Sequence, residues 1–253
     1  MYMYKRLIIL VLSLMALVSC TKEQVVEEVT LQLRAAIDPD IAVLTRTGEA
    51  VAEPVVADRA VLQAWRGNVK AAESVQSITP ETTQINFTGV KLAAGVEYDI
   101  YIMVYNNGYY NVSDLRGVSI ASDKSFDGKT AEFDAFCYYG TVTCGQADSV
   151  HEVTLKRPFA KVSFSAAVEK DVTISYKAST TLNLKTGAVS GEKPVSYTAT
   201  HGVSSVAAFD YVFATEAVSQ LNYTFKLGSE DAKTTPVSIK RNTKTNIIYN
   251  ATN

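Results

Sequence analysis

Apolar and polar side chains alternate through most of this chain, in short stretches separated by turn-forming residues. Val29, Leu31, Leu33 and Ala35 fall on one face and Thr30, Gln32 and Arg34 on the other, the period of a half-buried strand that Asp38-Pro39-Asp40 ends. Residues 45–58 read as loop with short extended pieces. Residues 59–72 contain Ala, Leu and Gln, which suit a helix by propensity, but Gly67-Asn68 at their centre predicts a hairpin with 61–65 and 69–72 as arms. Ile85 and Phe87 alternate with polar neighbours. Val96, Tyr98, Ile100, Ile102 and Val104 then share one phase, with Glu97, Asp99 and Tyr101 opposite. Asn106-Asn107-Gly108 predicts a turn, Asp114-Leu115-Arg116-Gly117 a helical turn, and 122–129 a loop.

In the later part of the chain, residues 136–144 centre on Gly140-Thr141. A two-residue turn there would set Cys137 opposite Cys144, so both a disulfide and a pair of free, buried thiols fit. After Val153-Thr154-Leu155, Pro158 interrupts any central strand and marks a seam between domains. Alternation resumes at Ala160, Val162, Phe164 and Ala166. It continues through Val172-Ile174-Tyr176, Leu182-Leu184, Phe209-Tyr211-Phe213 and Leu221-Tyr223-Phe225-Leu227. Val237, Ile239, Ile247, Tyr249 and Ala251 share one phase near the end of the sequence. Many short strands and no convincing helix longer than two turns predict an all-β chain of β-sandwich type, with domains over 29–156 and 157–253.

The first twenty residues read differently. A basic head, Lys5 and Arg6, precedes an apolar run that closes on Leu17-Val18-Ser19-Cys20, too short and wrongly flanked for a spanning helix. Residues 1–19 resemble a bacterial lipoprotein signal, in which cleavage leaves Cys20 to carry the lipid, and 20–28 read as a polar tether. The formal net charge is −2, and two of the basic residues leave with the signal, so nothing in the charge points to nucleic acid. With Cys20 lipidated, Cys137 and Cys144 remain as an even pair in an oxidising compartment.

Catalytic signatures are missing: there is no nucleophile elbow, no zinc-protease helix motif and no phosphate-binding Gly-rich loop. Only His151 and His201 could serve as imidazole acid–bases. Cys137, Cys144 and His151 are spaced seven apart, without the close Cys pair of ordinary zinc sites, so no metal or cofactor is expected. Tyr101, Tyr105, Tyr109 and Tyr110 fall on the predicted outward face or at a hairpin tip, where rings could stack on sugars or a partner protein. Tyrosine is also a favoured strand residue, and packing in the sheet accounts for these tyrosines better.

Several stretches together resemble the fimbrillin-like fimbrial subunit lipoproteins of Bacteroides-type bacteria. They are residues 96–104 with their tyrosines, Asp134-Ala135-Phe136 with Gly140-Thr141-Val142, and Leu155-Lys156-Arg157-Pro158-Phe159-Ala160-Lys161. Asp210-Tyr211-Val212-Phe213-Ala214, and Lys240-Arg241-Asn242 with Thr245-Asn246-Ile247, complete the set. The resemblance implies two transthyretin-like β-sandwich domains in tandem, in a surface-exposed, non-enzymatic lipoprotein of the outer membrane. It also implies a fimbrial subunit, or a fimbrial anchor or accessory protein, that serves adhesion to a host protein or glycan. Its partners would be other fimbrial subunits, joined by strand exchange after proteolysis at an Arg. On this chain the better cleavage candidate is Arg46, because Arg34 lies inside a predicted strand. The donated strand would come from the segment of Val237, Ile239, Ile247 and Tyr249. The sequence ends soon after that segment, so receiving a strand fits as well as giving one. Two other classes stay open: a glycan-binding surface lipoprotein, and a hydrolase using paired carboxylates.

Overall fold

A computed structural model of the protein describes residues 27–44, 50–145, 150–202 and 205–250. Its strands run, in chain order, β1 (Glu28–Ile37), β2 (Asp40–Val43), β3 (Ala50–Ala52), β4 (Arg59–Arg66), β5 (Val69–Ser77) and β6 (Gln84–Ala93). Next come β7 (Glu97–Tyr105), β8 (Tyr110–Asn111), β9 (Val118–Ile120), β10 (Phe136–Thr143), β11 (Val150–Leu155) and β12 (Phe159–Ala166). The last are β13 (Val172–Leu182), β14 (Val189–Ala199), β15 (Val206–Phe213), β16 (Ser219–Leu227), β17 (Lys233–Ile239) and β18 (Thr243–Tyr249). Among the described residues there is no α-helix, only two 3-10 turns at Leu115–Gly117 and Ala131–Phe133. The first is the helical turn foreseen at Asp114, whose carboxylate accepts from the Arg116 N–H at 2.9 Å.

The chain is all-β, and its strands form two sandwiches. The first packs the sheet β11-β1-β6 on the sheet β10-β7-β4-β5. Leu31, Leu33, Ala35 and Ile37 of β1 meet Leu62, Ile100, Ile102, Val104 and Phe136 between them. The second packs β15-β12-β18-β2-β3 on β17-β16-β13-β9-β8, with β14 paired along β13. Its core holds Val162, Phe164, Ile174, Tyr223, Phe225 and Leu227. The predicted hairpin at Gly67-Asn68 forms between β4 and β5, and Gly67 sits at φ +57°, where a side chain would be strained.

A third apolar cluster joins the sandwiches. Val61, Trp65, Tyr101, Met103 and Tyr105, from the other face of β4 and β7, pack with Tyr110, Phe133, Phe159, Leu182, Tyr211 and Phe213. The sheet containing β4 and β7 therefore has both faces covered. The strands do not divide at the expected 156/157 boundary. β2 and β3 lie in the sheet of β12, β15 and β18, and β8 and β9 lie in that of β13. Early segments complete the later sandwich, which is why the two halves share a core.

A buried carboxylate reinforces the second sandwich. Asp210 on β15 accepts from the Tyr176 and Tyr197 hydroxyls at 2.7 and 2.6 Å, from Thr130 Oγ1 at 3.1 Å and from Gly128 N–H at 3.1 Å. Burial pushes its pKa up, against the pull of those donors. Gly128 (φ +79°) permits the approach, since a Cβ there would lie 2.5 Å from the Tyr197 ring.

The expected turn at Gly140-Thr141 does not form. Residues 136–143 run as one strand, paired with β7 from Phe136↔Val104 to Thr143↔Glu97. Seven positions along a strand separate Cys137 from Cys144 by roughly 23 Å, far beyond the reach of a disulfide, and odd spacing turns them to opposite faces. Cys144 joins the core of the first sandwich, Cys137 the cluster between sandwiches, and both are free thiols. This corrects the disulfide reading. Burial pushes the Cys137 thiol up to about 11 and raises Cys144 as well, so neither is a ready nucleophile at neutral pH. Protein purified without reductant is therefore expected to resist a thiol reagent while folded, to label at both Cys137 and Cys144 once unfolded, and to keep its Tm when reductant is added. Loss of Tm on reduction, with no labelling of the unfolded chain beforehand, would restore the disulfide.

Candidate functional site

The N-terminal strands are set into the fold rather than laid along its rim. β1 lies between β11, to which it is parallel, and β6, to which it is antiparallel. After Asp38-Pro39-Asp40, where Asp40 N–H donates to Asp38 Oδ1 at 3.1 Å, the chain crosses to the second sandwich. There β2 lies between β18 and β3, with Thr243↔Ala42 and Lys244↔Val43 in parallel register and Ile41↔Val51 antiparallel. Leu44 N–H donates to Lys244 O at 2.7 Å, Ala42 N–H to Asn242 O at 3.2 Å, and Ile41 is fully buried.

Arg157 clasps the base of the β2–β3 hairpin. Its Nε and Nη2 donate to Asp134 Oδ1 and Oδ2, both at 2.8 Å, a bidentate pair with side chains 0% and 1% exposed. The remaining donors reach two carbonyls: Nη1 that of Pro39, just before β2, and Nη2 that of Glu53, just after β3, at 3.3 Å. The guanidinium also lies 4.5 Å from the centroid of Phe136. Beside it, the Glu53 carboxylate accepts from Lys161 at 2.7 Å and Lys244 at 3.1 Å. Burial acts to raise the Glu53 pKa, but the hydrogen bonds and charges of the two lysines outweigh it and hold the carboxyl below its usual value. Lys161 itself stands 4.4 Å over the Phe209 ring.

The sequence-predicted site residues scatter. Cys20 and Arg46 lie outside the described residues; 46 falls between β2 and β3. Val237 and Ile239 are buried on β17, opposite Leu221 and Ser219 of β16. Ile247 and Tyr249, on β18, pair with Phe164 and Ala166 of β12 and pack against the same core. In this chain they complete its own second sandwich.

The tyrosine face is corrected. Tyr101, Tyr105 and Tyr110 are 1%, 5% and 6% exposed, inside the cluster between sandwiches, and the Tyr110 hydroxyl donates to Phe133 O. Tyr109 is half-buried, edge-on to Phe133 at 5.3 Å, with Lys124 4.7 Å over its ring. Tyr101, Tyr105 and Tyr110 are not placed to stack on a ligand. Among the described residues, no group of three or more His, Cys, Asp or Glu could hold a metal ion.

Sequence reasoning missed the clasp. Asp134 and Arg157 stand in stretches that carried the family resemblance, but no local period pairs residues twenty-three apart, or Arg157 with carbonyls more than a hundred positions away.

Fold and site define an all-β double sandwich closed by its own first strands. The chain belongs to DUF6562, a family of unknown function, over residues 22–250. No curated protein matches it. Among solved structures it is similar to a provisionally assigned adhesin from Bacteroides ovatus (TM-score 0.59, 10% identity, covering 89% of this chain and 88% of that one). It is also similar to the fimbrial anchor protein Mfa2 from Porphyromonas gingivalis (0.53, 12%, 78% of each chain). A provisionally assigned polysaccharide-binding protein from Bacteroides thetaiotaomicron is another such structure (0.53, 10%, 78% and 76%). At these identities the likeness is one of fold.

Arg157→Met is expected to cost about 3–5 kcal/mol in urea unfolding, because it strands a buried carboxylate; adding Asp134→Leu should recover part of the loss. Glu53→Gln tests the lysine pair. A depressed folded pKa stabilises above the unfolded value and loses that contribution as pH falls. The wild type should therefore exceed the variant by about 1 kcal/mol at neutral pH, with the gap closing through and below the ordinary carboxylate range. A gap that widens on acidification would overturn the assignment.

Proposed function

We propose that the protein is a surface lipoprotein of fimbrial type, a fimbrial subunit or a fimbrial anchor, that serves cell adhesion and joins its partners by strand exchange. The observation that carries this reading is the interior position of β1 and β2, the first two strands after the tether, one in each sandwich. A cut after Arg46 would free both. Each large apolar side chain so uncovered, Leu31, Leu33, Ile37 and Ile41 among them, costs about 1.5–3 kcal/mol in water, and the open strand edges lose their partners. An incoming strand meets both needs at once.

The same geometry argues for receiving rather than giving. β18 is interior, between β12 and β2, so donating it would open the second sandwich a second time. Its acyl chain on Cys20 would hold the uncut protein at the outer membrane, as an anchor. Cleavage at Arg46 would part the lipid from the body and leave the remainder in a fibre. The likeness to adhesins and to a fimbrial anchor supports this reading, and in it the two sandwiches would be of transthyretin-like type. Those neighbours are adhesins and fimbrial proteins rather than enzymes, which sets the hydrolase reading below the fimbrial one.

The test is the N-terminal sequence and intact mass of the protein recovered from the outer surface of its native cells. The expected result is a chain starting at Thr47 in heat-labile ladders. A lipid-modified start at Cys20, with only monomers, would overturn strand exchange.

A further inference from the structure

Between the two sandwiches lies a cleft of about 320 Å³, at the small end of ordinary ligand pockets. One wall is the β10–β11 side of the first sandwich, with Tyr139, Thr154 and Lys156; the other is the β13–β14 turn, with Lys185 and Thr186, joined by Glu216 and Arg241. We propose that this cleft binds a carboxylated saccharide unit, of the uronic acid class, through Lys156 and Arg241. The proposal does not depend on whether the chain polymerises.

Charge makes the first argument. Lys156, Lys185 and Arg241 face a single lining carboxylate, Glu216, which holds Arg241 at 3.1 Å while remaining 71% exposed. Lys185 is engaged by Asp99 at 2.9 Å, whereas Lys156 has no carboxylate partner among the described residues. Arg241 Nε is buried out of the cleft's reach and has no partner among the described residues, while Nη2 lies 3.7 Å from Cys137 Sγ, so the guanidinium meets the cleft through its Nη atoms. The cleft thus carries an excess of positive charge, centred on Lys156, the condition an anionic ligand relieves.

Its shape and remaining chemistry select the kind of anion. Tyr139 is half-buried and pinned: its hydroxyl donates to Asp99 at 2.7 Å, and its ring rests on Tyr101 with centroids 5.0 Å apart. Lys185 Nζ stands 5.4 Å over that ring, so Tyr139 serves as a fixed side wall of the cleft against which a sugar ring can rest. The β13–β14 turn is equally fixed, with Gly187 N–H donating to Asn183 O at 2.8 Å and Thr186 N–H to Asn183 Oδ1 at 2.9 Å. Thr154 and Thr186 add hydroxyls that can bond sugar hydroxyls. A peptide carboxylate would satisfy the cations but leave those hydroxyls and the ring unused.

The test titrates the full chain with glucuronate, followed by amide chemical shifts, with glucose and N-acetylglutamate as comparators. Glucuronate should shift the amides of Lys156, Lys185, Thr186, Gly187 and Arg241, and bind at least about tenfold more tightly than either comparator. Lys156→Gln, at an exposed side chain whose backbone pairing with Cys137 is kept, should weaken binding about fivefold, a surface charge's worth, while Glu216→Gln should tighten it. Glucose binding as well as glucuronate would overturn the proposal. So would N-acetylglutamate binding as tightly, which would make the cleft a peptide site, or the absence of shifts at these amides up to about 20 mM, beyond the millimolar range of weak sites.

Discussion

A guanidinium fully removed from water tolerates almost no freedom in its surroundings, and Arg157 is such a group. Its donors are divided between Asp134, on the segment just before β10, and the carbonyls of Pro39 and Glu53, which bracket the β2–β3 hairpin. Were any of these elements to move away, a buried charge would be left with too few partners, at a cost of several kcal/mol. The start of β12, the 3-10 turn at Ala131–Phe133 and the N-terminal hairpin are therefore held to one arrangement. Glu53, gripped by Lys161 and Lys244, repeats the constraint at the neighbouring edge.

Once the hairpin is fixed in the second sandwich, only Asp38 and Pro39 separate it from β1 in the first. One continuous segment thus enters both sandwiches in turn, and the region between them is filled by side chains from each. Tyr101, Tyr105, Phe133, Phe159 and Phe213 make that region a core rather than a hinge. Under the proposed strand exchange, closure would rest on this segment, early in sequence and interior in space, whose place a strand of matching alternation would take. The same construction explains why the open cleft sits where it does, at the margin of the shared core, where charged side chains replace aromatic ones.

The alternation of residues by itself determined that the chain is all-β, and it located most strands and the tight turn at Gly67-Asn68. Backbone pleating puts neighbours on opposite faces whatever the tertiary context, so the in-phase set Tyr98, Ile100, Ile102 and Val104 was legible as one surface. What lay against the opposite surface was not. Tyr101 and Tyr105 alternate with those residues whether the far face meets water or a second sandwich, and only the packing of β8, β12 and β15 settled that they are buried. Gly140-Thr141 reads as a turn locally, yet pairing with β7 on a sheet buried between two cores keeps β10 straight and parts the cysteines. The clasp depends on contacts across more than a hundred residues, between Arg157 and the carbonyls of Pro39 and Glu53. Local period fixes which way a side chain points from its own strand; only tertiary structure decides what it meets there, because that is set by strand pairing and sheet stacking, which no short window of sequence contains.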